Sequence, residues 1–518
     1  MCEGLSLYSS VVKREVVGAA AIVFISSFCL LVIELVAGRI LAPYVGVSLY
    51  TWTSIIGVVL AGISIGAWVG GALADRYNPA SVLPLLLLLS AAASFAIVPL
   101  ANLMGTDALP VPQHSLMLRV LAFSAIIFFL PSCLLGMISP VAVKSALRDL
   151  AQTGHVVGRI YAVSTVGSIL GTFATGFFLI ARFGTRAILF GVAGVLVICA
   201  TIALIGARRR LLAIALLPIA FACAAATDRF EVMQSRLGDD VAYVKETNYY
   251  TIRVQERTRI DGAGKLETLI LDQLVHSLND PRDPCYLAYS YLKIFNELIK
   301  WKAQGDRPLN LLFLGGGGYT LPRCIETTFP TANIDVAEID PGVTAVAYNF
   351  LGLSRATRIH TTNADARWFL MRTDRRYDII FGDAFNDISI PYHLTTREFI
   401  ELQKQHLLPG GCLAANVIDN IPSGDFLPSY LRTVQTVFGK DNTAVLAEPD
   451  AYARGAQSTL VIVAGAPGFQ PQEGIAVPSQ DIDDAFRRGR WVVLTDNYAP
   501  VDNLVAPLFA ERVKYQRR

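Results

Sequence analysis

The stretch LNLLFLGGGGYT, residues 309–320, decides the fold of the carboxy-terminal half. Its apolar residues predict a buried strand, and the glycines after them predict a turn that lets the backbone approach a ligand. Gly315, Gly316 and Gly317 would lie where the amino terminus of the next helix faces that ligand. Thr320 replaces the third glycine of a dinucleotide-binding motif, so this stretch alone also fits a simple tight turn.

Acidic residues end the strands that follow this turn. IDVAEID contains Glu338, which comes about twenty residues after the turn, where a carboxylate can accept both hydroxyls of a ribose. RIHTTNADA contains Asp365, YDIIFGDAF contains Asp383, and LLPGGCLAANV predicts a turn and a fifth strand. Ligands of open parallel sheets bind outside the carboxyl ends of the strands, so these features predict one crevice. Asp383 favours a sulfonium cation in that crevice, and a P-loop is excluded because no GK[ST] follows the glycines.

The amino-terminal half is apolar enough to lie in a membrane. Of the 518 residues, 53% are hydrophobic and only 17% are charged, which is unusual for a soluble protein. A spanning helix needs roughly 20 apolar residues. Six runs meet that length and predict spans at 16–37, 50–74, 81–103, 116–138, 160–180 and 187–205. A seventh run, 211–226, is shorter and contains Pro218, so it either spans or lies at the interface.

The chain therefore predicts a multi-domain fold. Residues 1–228 form a polytopic α-helical membrane domain, residues 229–300 a small β-rich segment, and residues 301–518 an α/β Rossmann-like domain. The β-rich segment follows from the alternating patterns at 243–255 and 268–274. The net charge of +2 excludes a strongly basic face, so we expect no nucleic-acid partner. The eight cysteines form no metal-ligand spacing, so we expect no metal and read them as small hydrophobic residues in a reducing compartment.

Basic residues mark alternate loops of the membrane half. Lys13 and Arg14, then Arg76, then Lys144 lie in loops that the positive-inside rule assigns to the cytoplasm. We expect a multi-pass protein of the inner (cytoplasmic) membrane with its catalytic domain in the cytoplasm, where an adenosyl ligand is available. A seventh full span would place that domain on the other side of the membrane. A cytoplasmic domain therefore requires either that 211–226 does not cross or that the number of other spans differs from six.

Two helices of the membrane half resemble each other. Residues 52–77 contain Gly62 and Gly66, and residues 161–186 contain Gly167 and Gly171 at the same spacing. Small residues four apart let helix backbones approach closely. Three-helix repeats of opposite topology are also a property of transporters, so a transporter with an adenosyl-ligand sensing domain is an alternative function.

The carboxy-terminal motifs resemble those of the spermidine synthase (polyamine aminopropyltransferase) family over roughly residues 243–463, and the whole chain resembles its membrane-fused bacterial branch. GGGGYT stands where the family has GGGDGG, AEID where it has VEID, and NADA where it has GDG or GDA; LLPGG matches directly. The resemblance implies that Glu338 binds ribose and that Asp365 with Ala366 binds adenine. DAFND occupies the DSSD position, which makes Asp383 the candidate catalytic acid/base and a ligand contact.

Three more segments resemble family motifs around the ligand. ETNYY resembles ES-x-Y-Q, LDQLVH resembles LDG-x-x-Q, and LAYSYL resembles F-x-YHEM or YQEM. Tyr289 is retained from the family pattern, and we expect Tyr289 or Tyr250 to assist Asp383 in catalysis. The other implied ligand contacts are Tyr249, His276 and Tyr452.

The chain also departs from the family pattern. Gly318 replaces the acid that holds the aminopropyl amine, and Asn386 replaces the second acid of DSSD with Asp387 displaced by one. Tyr250 replaces glutamine, and Ser290 replaces histidine or glutamine. We expect these changes to weaken the binding of a polyamine. Losing an acid beside the tail of the ligand also removes repulsion against a carboxylate. We therefore expect either S-adenosylmethionine or its decarboxylated form as substrate.

The motifs predict an enzyme that cleaves the Cγ–S bond and releases methylthioadenosine. The leading hypothesis is transfer of the alkyl group to a small-molecule amine or polyamine. A lyase that cyclises the aminobutyrate group internally is an alternative, and methyl transfer is a third enzymatic one. The sequence does not define the oligomeric state, and a homo-oligomer stays open.

Overall fold

A computed structural model describes residues 2–46, 48–104, 116–147, 153–206, 240–259, 262, 264–272, 274–303, 307–384, 390–455 and 457–515. The chain divides into two compact units, Met1–Leu237 and Gly238–Arg518. The apolar run 211–226 and the domain boundary expected at residue 228 lie outside the described residues, so both stay predictions.

The amino-terminal unit is built from long helices. They are α1 Cys2–Val45, α2 Leu49–Arg76, α3 Pro79–Met104, α4 Leu116–Ala146, α5 Thr153–Ala174 and α6 Ile180–Gly206. Each contains a segment long and apolar enough to cross a membrane, and these segments overlap the six predicted runs. That they span a membrane stays a prediction. Large apolar side chains such as Trp68, Phe177 and Phe178 point outward with exposed fractions of 78%, 68% and 70%. Lipid rather than water is the solvent that suits such a surface.

Glycines bring two pairs of these helices into backbone contact. A Cβ atom on Gly62 or Gly66 of α2 would overlap the backbone of α4 at Phe129 and Cys133. A Cβ atom on Gly167 or Gly171 of α5 would overlap the backbone of α1 at Phe24 and Phe28. The stripes that the sequence spacing suggested therefore lie in the contacts α2–α4 and α1–α5.

The carboxy-terminal unit begins with the small β-rich segment. Strands β1 Val241–Glu246, β2 Thr251–Thr258, β3 Lys265–Leu271 and β4 Leu274–Asn279 form an antiparallel sheet in the order β1-β2-β3-β4. Ile252, Val254 and Leu269 are fully buried, as the alternating pattern requires for one covered face. Helix α7, Ser290–Lys302, follows this sheet.

An eight-stranded sheet forms the centre of this unit. Its strands are β5 Asn310–Leu314, β6 Asn333–Glu338, β7 His360–Asn363, β8 Tyr377–Gly382, β9 Leu407–Asp419, β10 Thr443–Ala447, β11 Ser458–Ala464 and β12 Ile475–Ala476. The order is β12-β10-β11-β9-β8-β5-β6-β7. Strands β5 to β9 are mutually parallel, and β11 is antiparallel to β9. The chain order reverses between β5 and β8, which is where open α/β sheets form a ligand crevice.

Further helices follow α7 in this unit. They are α8 Thr320–Thr328, α9 Pro341–Asn349, α10 Ala366–Arg372, α11 Arg397–Gln405, α12 Phe426–Phe438, α13 Pro449–Ala453, α14 Ser479–Arg487 and α15 Val501–Tyr515. Leu311, Leu312, Ile379 and Ile380 are all fully buried although neighbours along a strand point to opposite faces. Burial on both faces explains the continuous apolar runs in these strands. The predicted multi-domain fold, in which a helical domain is followed along the chain by a Rossmann-like domain, is confirmed.

The cysteines do not all follow the expectation. Cys285 and Cys324 form a disulfide, so the prediction of reduced, small hydrophobic cysteines is wrong for this pair. The bond links the segment before α7 to helix α8, across 39 residues of chain. The free cysteines among the described residues are buried as expected: Cys29, Cys133, Cys199 and Cys412.

Candidate active site

The glycine turn after β5 is held by the carboxylate at the end of β6. Glu338 Oε2 accepts the backbone N–H of Gly316 at 2.8 Å and of Gly317 at 3.3 Å, and Oε1 accepts the N–H of Asp340 at 2.9 Å. Burial raises the pKa of Glu338, and these three hydrogen bonds act in the opposite direction. Glu338 thus fixes the turn that the sequence assigned to the ligand.

Close approach of the backbone explains the first glycine. Gly315 has a φ of +101°, and a Cβ atom there would overlap the carbonyl group of Asp383 at the end of β8. The turn and the tip of β8 are therefore in direct contact. Gly317, with a φ of +47°, has open space where a side chain would point, so this part of the turn is accessible to a ligand.

Gly318 occupies a position with no room for a side chain. A Cβ atom there would overlap Ser277 Oγ and lie 2.7 Å from Asn279 Oδ1, both on β4. Asn279 Nδ2 also donates to the Gly318 carbonyl at 2.6 Å, and Asn279 Oδ1 accepts from Thr320 at 2.9 Å. Gly318 stands where the family pattern has an acid, and its small size allows the turn to make these polar contacts with β4.

The acid at the end of β7 caps a helix and contacts a histidine. Asp365 Oδ1 accepts the N–H groups of Arg367 and Trp368, both at 3.0 Å, at the start of α10. Its Oδ2 lies 2.9 Å from His393 Nε2. The hydrogen bond from His393 is the main cause that lowers the pKa of Asp365, so this carboxyl is ionised near neutral pH.

The acid at the end of β8 accepts hydrogen bonds from two side chains among the described residues. Tyr291 donates its hydroxyl hydrogen to Asp383 Oδ2 at 3.1 Å, and Asn416 Nδ2 donates to Oδ1 at 2.7 Å. Burial raises the pKa of Asp383 to about 6, although both hydrogen bonds lower it. A carboxyl with this pKa is mostly ionised at pH 7 and can accept a proton there, which is what a general base requires.

The predicted tyrosines lie near these acids but have other direct partners. Tyr289 donates its hydroxyl hydrogen to the Val275 carbonyl at 3.3 Å, and its ring centroid lies 6.0 Å from that of Tyr291. Tyr250 is buried, and its pKa is raised by burial and then by the negative charge of Glu338. Tyr249 is 44% exposed, and burial of its hydroxyl together with nearby acids, including Glu338, raises its pKa.

Two further predicted contacts differ in their surroundings. Burial lowers the pKa of His276 to about 4, so its ring is neutral, and its Nε2 has no hydrogen-bond partner among the described residues. Tyr452 donates its hydroxyl hydrogen to Asp481 and lines a cavity of about 410 Å³ beside Ile421, Ser458 and Asp481. Asn386 and Asp387 lie outside the described residues.

Sequence reasoning missed Tyr291 and Asn416, whose side chains donate hydrogen bonds to Asp383. Tyr291 is separated from Asp383 by 92 residues and reaches it from the first turn of α7. Asn416 is a polar residue inside the otherwise apolar run CLAANVI, and that interruption was the available signal. For Tyr291 the sequence offered only its position two residues after Tyr289.

The geometry defines a class of site. Glu338, Asp365 and Asp383 end or follow β6, β7 and β8, so all three lie at the carboxyl edge of the parallel strands, beside the glycine turn. This arrangement is typical of the nucleotide-binding crevice of a Rossmann-like α/β domain.

Comparison with known proteins identifies the resemblance more closely. The chain is 35% identical over 161 residues to the polyamine aminopropyltransferase of Vibrio vulnificus, a match that covers 30% of this chain and 52% of that protein. It is 31% identical over 153 residues to a probable polyamine aminopropyl transferase of Bifidobacterium longum, covering 29% of this chain and 34% of the relative. The predicted resemblance to the spermidine synthase (polyamine aminopropyltransferase) family is confirmed.

The similarity covers only part of each relative. The chain spans about half of the Vibrio relative and about a third of the Bifidobacterium one. A probable spermidine synthase from Corynebacterium glutamicum superposes with a TM-score of 0.41 and 20% identity, over 49% of this chain and 95% of that structure. No family model matches the chain. The resemblance to a membrane-fused branch stays a prediction.

Proposed function

We propose that the chain is a membrane-bound, spermidine synthase-like enzyme. It cleaves S-adenosylmethionine, or its decarboxylated form, between sulfur and the γ-carbon, releases methylthioadenosine and transfers the alkyl group to an amine. The names of the similar proteins support this activity. The observation that carries the proposal is the Asp383 carboxylate, which lies beside the glycine turn with a pKa of about 6.

The proposed step is a displacement at carbon. The lone pair of the amine nitrogen forms the new C–N bond, and the electrons of the C–S bond pass to sulfur, which loses its positive charge. The nitrogen then carries a positive charge, and Asp383 accepts a proton from this ammonium group. Because the sulfonium is already a good leaving group, the enzyme acts mainly by positioning the amine and keeping it uncharged.

The partners of Asp383 suit this role. Asn416 and Tyr291 each hold one carboxylate oxygen, so the carboxylate keeps one orientation before the amine arrives. Both oxygens retain lone pairs, since each accepts a single hydrogen bond from these side chains. Tyr289 and Tyr250 are proposed as assisting residues farther from the carboxylate.

The other acids are proposed to hold the nucleoside. Glu338 would bind the ribose through Oε1, which accepts a single backbone N–H and so keeps a lone pair for a hydroxyl, while Oε2 holds the glycine turn. Asp365 with Ala366 would bind adenine. Backbone of the glycine turn would pack against the ligand. Tyr249, His276 and Tyr452 are proposed as further contacts. A neutral His276 with a free ring nitrogen suits hydrogen bonding to an uncharged group.

A second candidate is a lyase acting on S-adenosylmethionine itself. Gly318 supports it, because the turn has no acid at this position and Ser277 fills the space that an acid would need. A substrate carboxylate would then meet no negative side chain from the turn. That carboxylate or the amine of the same molecule would serve as nucleophile and form a cyclic product, with methylthioadenosine again leaving.

One incubation series tests the proposal. The purified full-length chain is mixed with S-adenosylmethionine or decarboxylated S-adenosylmethionine, with and without putrescine, and the products are separated by chromatography. Methylthioadenosine that forms only with putrescine supports the transferase, and methylthioadenosine without amine supports the lyase. S-adenosylhomocysteine would indicate methyl transfer. No product from either ligand refutes the enzymatic proposal.

A matched pair of variants links the activity to the site. Asp383→Asn keeps the shape of the side chain but cannot accept the proton, and we expect a loss of at least 100-fold in kcat. Asp374→Asn changes an exposed aspartate outside the site and should leave kcat within twofold. Equal activity of both variants would exclude Asp383 as the base.

We further propose that the protein lies in the inner membrane with its catalytic unit on the cytoplasmic side. The basic loops and the location of the adenosyl ligands support this orientation. The Cys285–Cys324 disulfide is the observation against it, since disulfides are typical of oxidising compartments. Protease digestion of intact spheroplasts and of inverted vesicles tests this orientation. Digestion of the carboxy-terminal unit in intact spheroplasts would contradict it.

A further inference from the structure

The helical unit repeats one arrangement of three helices. The Cβ position of Gly62 on α2 meets the Phe129 carbonyl of α4, and that of Gly167 on α5 meets the Phe24 carbonyl of α1. From Gly62 to Gly167, and from Phe24 to Phe129, the separation is the same 105 residues.

The next helical turn repeats the relation. Gly66 meets the Cys133 carbonyl, and Gly171 meets the Phe28 carbonyl, again with a separation of 105 residues in each helix pair. The contact α2–α4 is thus the equivalent of α5–α1. The third helices, α3 and α6, contact each other, with the rings of Phe95 and Phe190 5.1 Å apart.

Sequence similarity supports the same division. LLVIELVAGR, residues 30–39 of α1, aligns without gaps to LGMISPVAVK, residues 135–144 of α4. Five positions carry the same kind of residue: a leucine, an isoleucine, a valine and an alanine are identical, and Arg39 corresponds to Lys144. Because each repeat has three spans, an odd number, the second repeat crosses the membrane in the opposite direction to the first.

A cavity of about 620 Å³ lies where the two repeats meet. It is lined by residues of α1, α2, α4 and α5. Equivalent residues of the two repeats lie in its wall: Leu30 with Leu135, Leu31 with Gly136, and Ile63 with Ser168. The pseudo-two-fold axis that relates the repeats therefore passes through the cavity. Its volume lies within the range of roughly 300–1,000 Å³ that small-molecule sites occupy.

The wall of the cavity is uncharged on balance. Its polar groups are mainly hydroxyls, with Ser27 and Ser164 joined by a hydrogen bond of 2.7 Å, and the rest of the wall is mostly aliphatic. The charged side chains in the lining, Asp75 and Lys144, are paired with each other at 2.8 Å. A cationic amine would find no unpaired carboxylate among the lining residues, so the wall suits a neutral molecule with hydroxyl groups and an apolar part.

We infer that the helical unit is a transport unit whose site on the repeat axis takes a small, uncharged, hydroxyl-bearing nucleoside. Sites at the interface of inverted repeats are where secondary transporters hold their substrates. Methylthioadenosine has the required chemistry: two ribose hydroxyls, no charge, and an apolar thioether. Its choice as the solute rests on the proposed function, because that reaction releases it.

Uptake into vesicles tests the inference. The full-length chain is reconstituted into liposomes, and entry of radiolabelled methylthioadenosine is measured against protein-free liposomes. Ser168→Phe places a large ring in the cavity, and we expect at least a tenfold loss of uptake. Ile169→Phe puts the same ring on the adjacent, outward-facing position, which is 47% exposed, and should leave uptake within twofold.

The outcomes separate this inference from the proposed function. Formation of methylthioadenosine by the same preparations in detergent reports on the catalytic unit and on the folding of each variant. Uptake that is saturable and lost in Ser168→Phe supports the transport site, even if no enzymatic product forms. Uptake no faster than in protein-free liposomes, equal uptake by both variants, or faster entry of spermidine than of methylthioadenosine would each overturn it, whatever the turnover.

Discussion

Replacing Tyr291 by phenylalanine should raise the pKa of Asp383, the proposed catalytic base. The Tyr291 hydroxyl donates to Asp383 and so stabilises the ionised form. A hydrogen bond to a charged group contributes about 1.5–3 kcal/mol, and 1.36 kcal/mol corresponds to one pKa unit. The distance of 3.1 Å is long for a hydroxyl donor, which favours the lower end of that range, a shift of about one unit.

The assay is the pH dependence of kcat/KM for the sulfonium substrate at saturating amine. With the pKa moved from about 6 to about 7, the ionised fraction at pH 6.5 falls about threefold, whereas at pH 8 it falls by only about a tenth. The base form exists above the pKa, so activity is lost as the pH falls. Titration of the amine itself is common to both proteins and cancels in their ratio.

Tyr430→Phe is the matched control. Tyr430 is also buried, and its ring stacks on Phe426 rather than on the site, so removing its hydroxyl should not move the acidic limb. A Tyr291→Phe limb that coincides with the parent, or moves to lower pH, would refute the assignment of Tyr291 as the hydrogen-bond donor that tunes Asp383. A shift in Tyr430→Phe as large as in Tyr291→Phe would refute it as well.

Three further predictions concern the turn and the disulfide. Glu338→Gln replaces a carboxylate oxygen that accepts backbone N–H groups by an amide. We expect at least tenfold weaker binding of methylthioadenosine, measured by calorimetry in a chain that also carries Ser168→Phe, which blocks the cavity of the helical unit. Unchanged affinity would contradict the role of Glu338 in holding the turn. Gly318→Asp should lower the melting temperature, since overpacking costs about 1–3 kcal/mol, and Ser277→Gly in the same chain should restore part of it; no restoration would contradict the steric cause. Cys285 and Cys324 should resist alkylation until a reductant is added, and replacing both by serine should destabilise the chain by roughly 4 kcal/mol on the loop-entropy model; labelling without reductant would contradict the bond.

The sequence predicted the fold because its signals are local. A strand that runs into a glycine turn, and an acid at the end of each later strand, can be read within a few residues, and the topology of a parallel sheet then brings Glu338, Asp365 and Asp383 to one edge. The same holds for the spans, since length and hydropathy are properties of one segment at a time.

What the sequence could not supply are contacts between distant segments. Tyr291 reaches Asp383 from a helix that precedes the Rossmann-like strands, and nothing in LAYSYL distinguishes it from Tyr289. The Cys285–Cys324 bond was missed for the same reason, because single cysteines far apart in sequence give no spacing signal. The likeness of two glycine-containing helices was visible, but their equivalent partners became evident only from the packing.

The disulfide makes sample handling part of the biochemistry. Cys285 lies six residues before Tyr291, and Cys324 lies on the helix that begins at the glycine turn. The disulfide therefore links the segment that carries the hydrogen-bond donor to Asp383 with the segment that follows the glycine turn. Dithiothreitol would reduce that bond, and non-covalent contacts such as the hydrogen bond from Arg323 to the Asp280 carbonyl would then hold the two segments together. Assays of the proposed reaction will be comparable between laboratories only when each states whether Cys285 and Cys324 are oxidised or reduced.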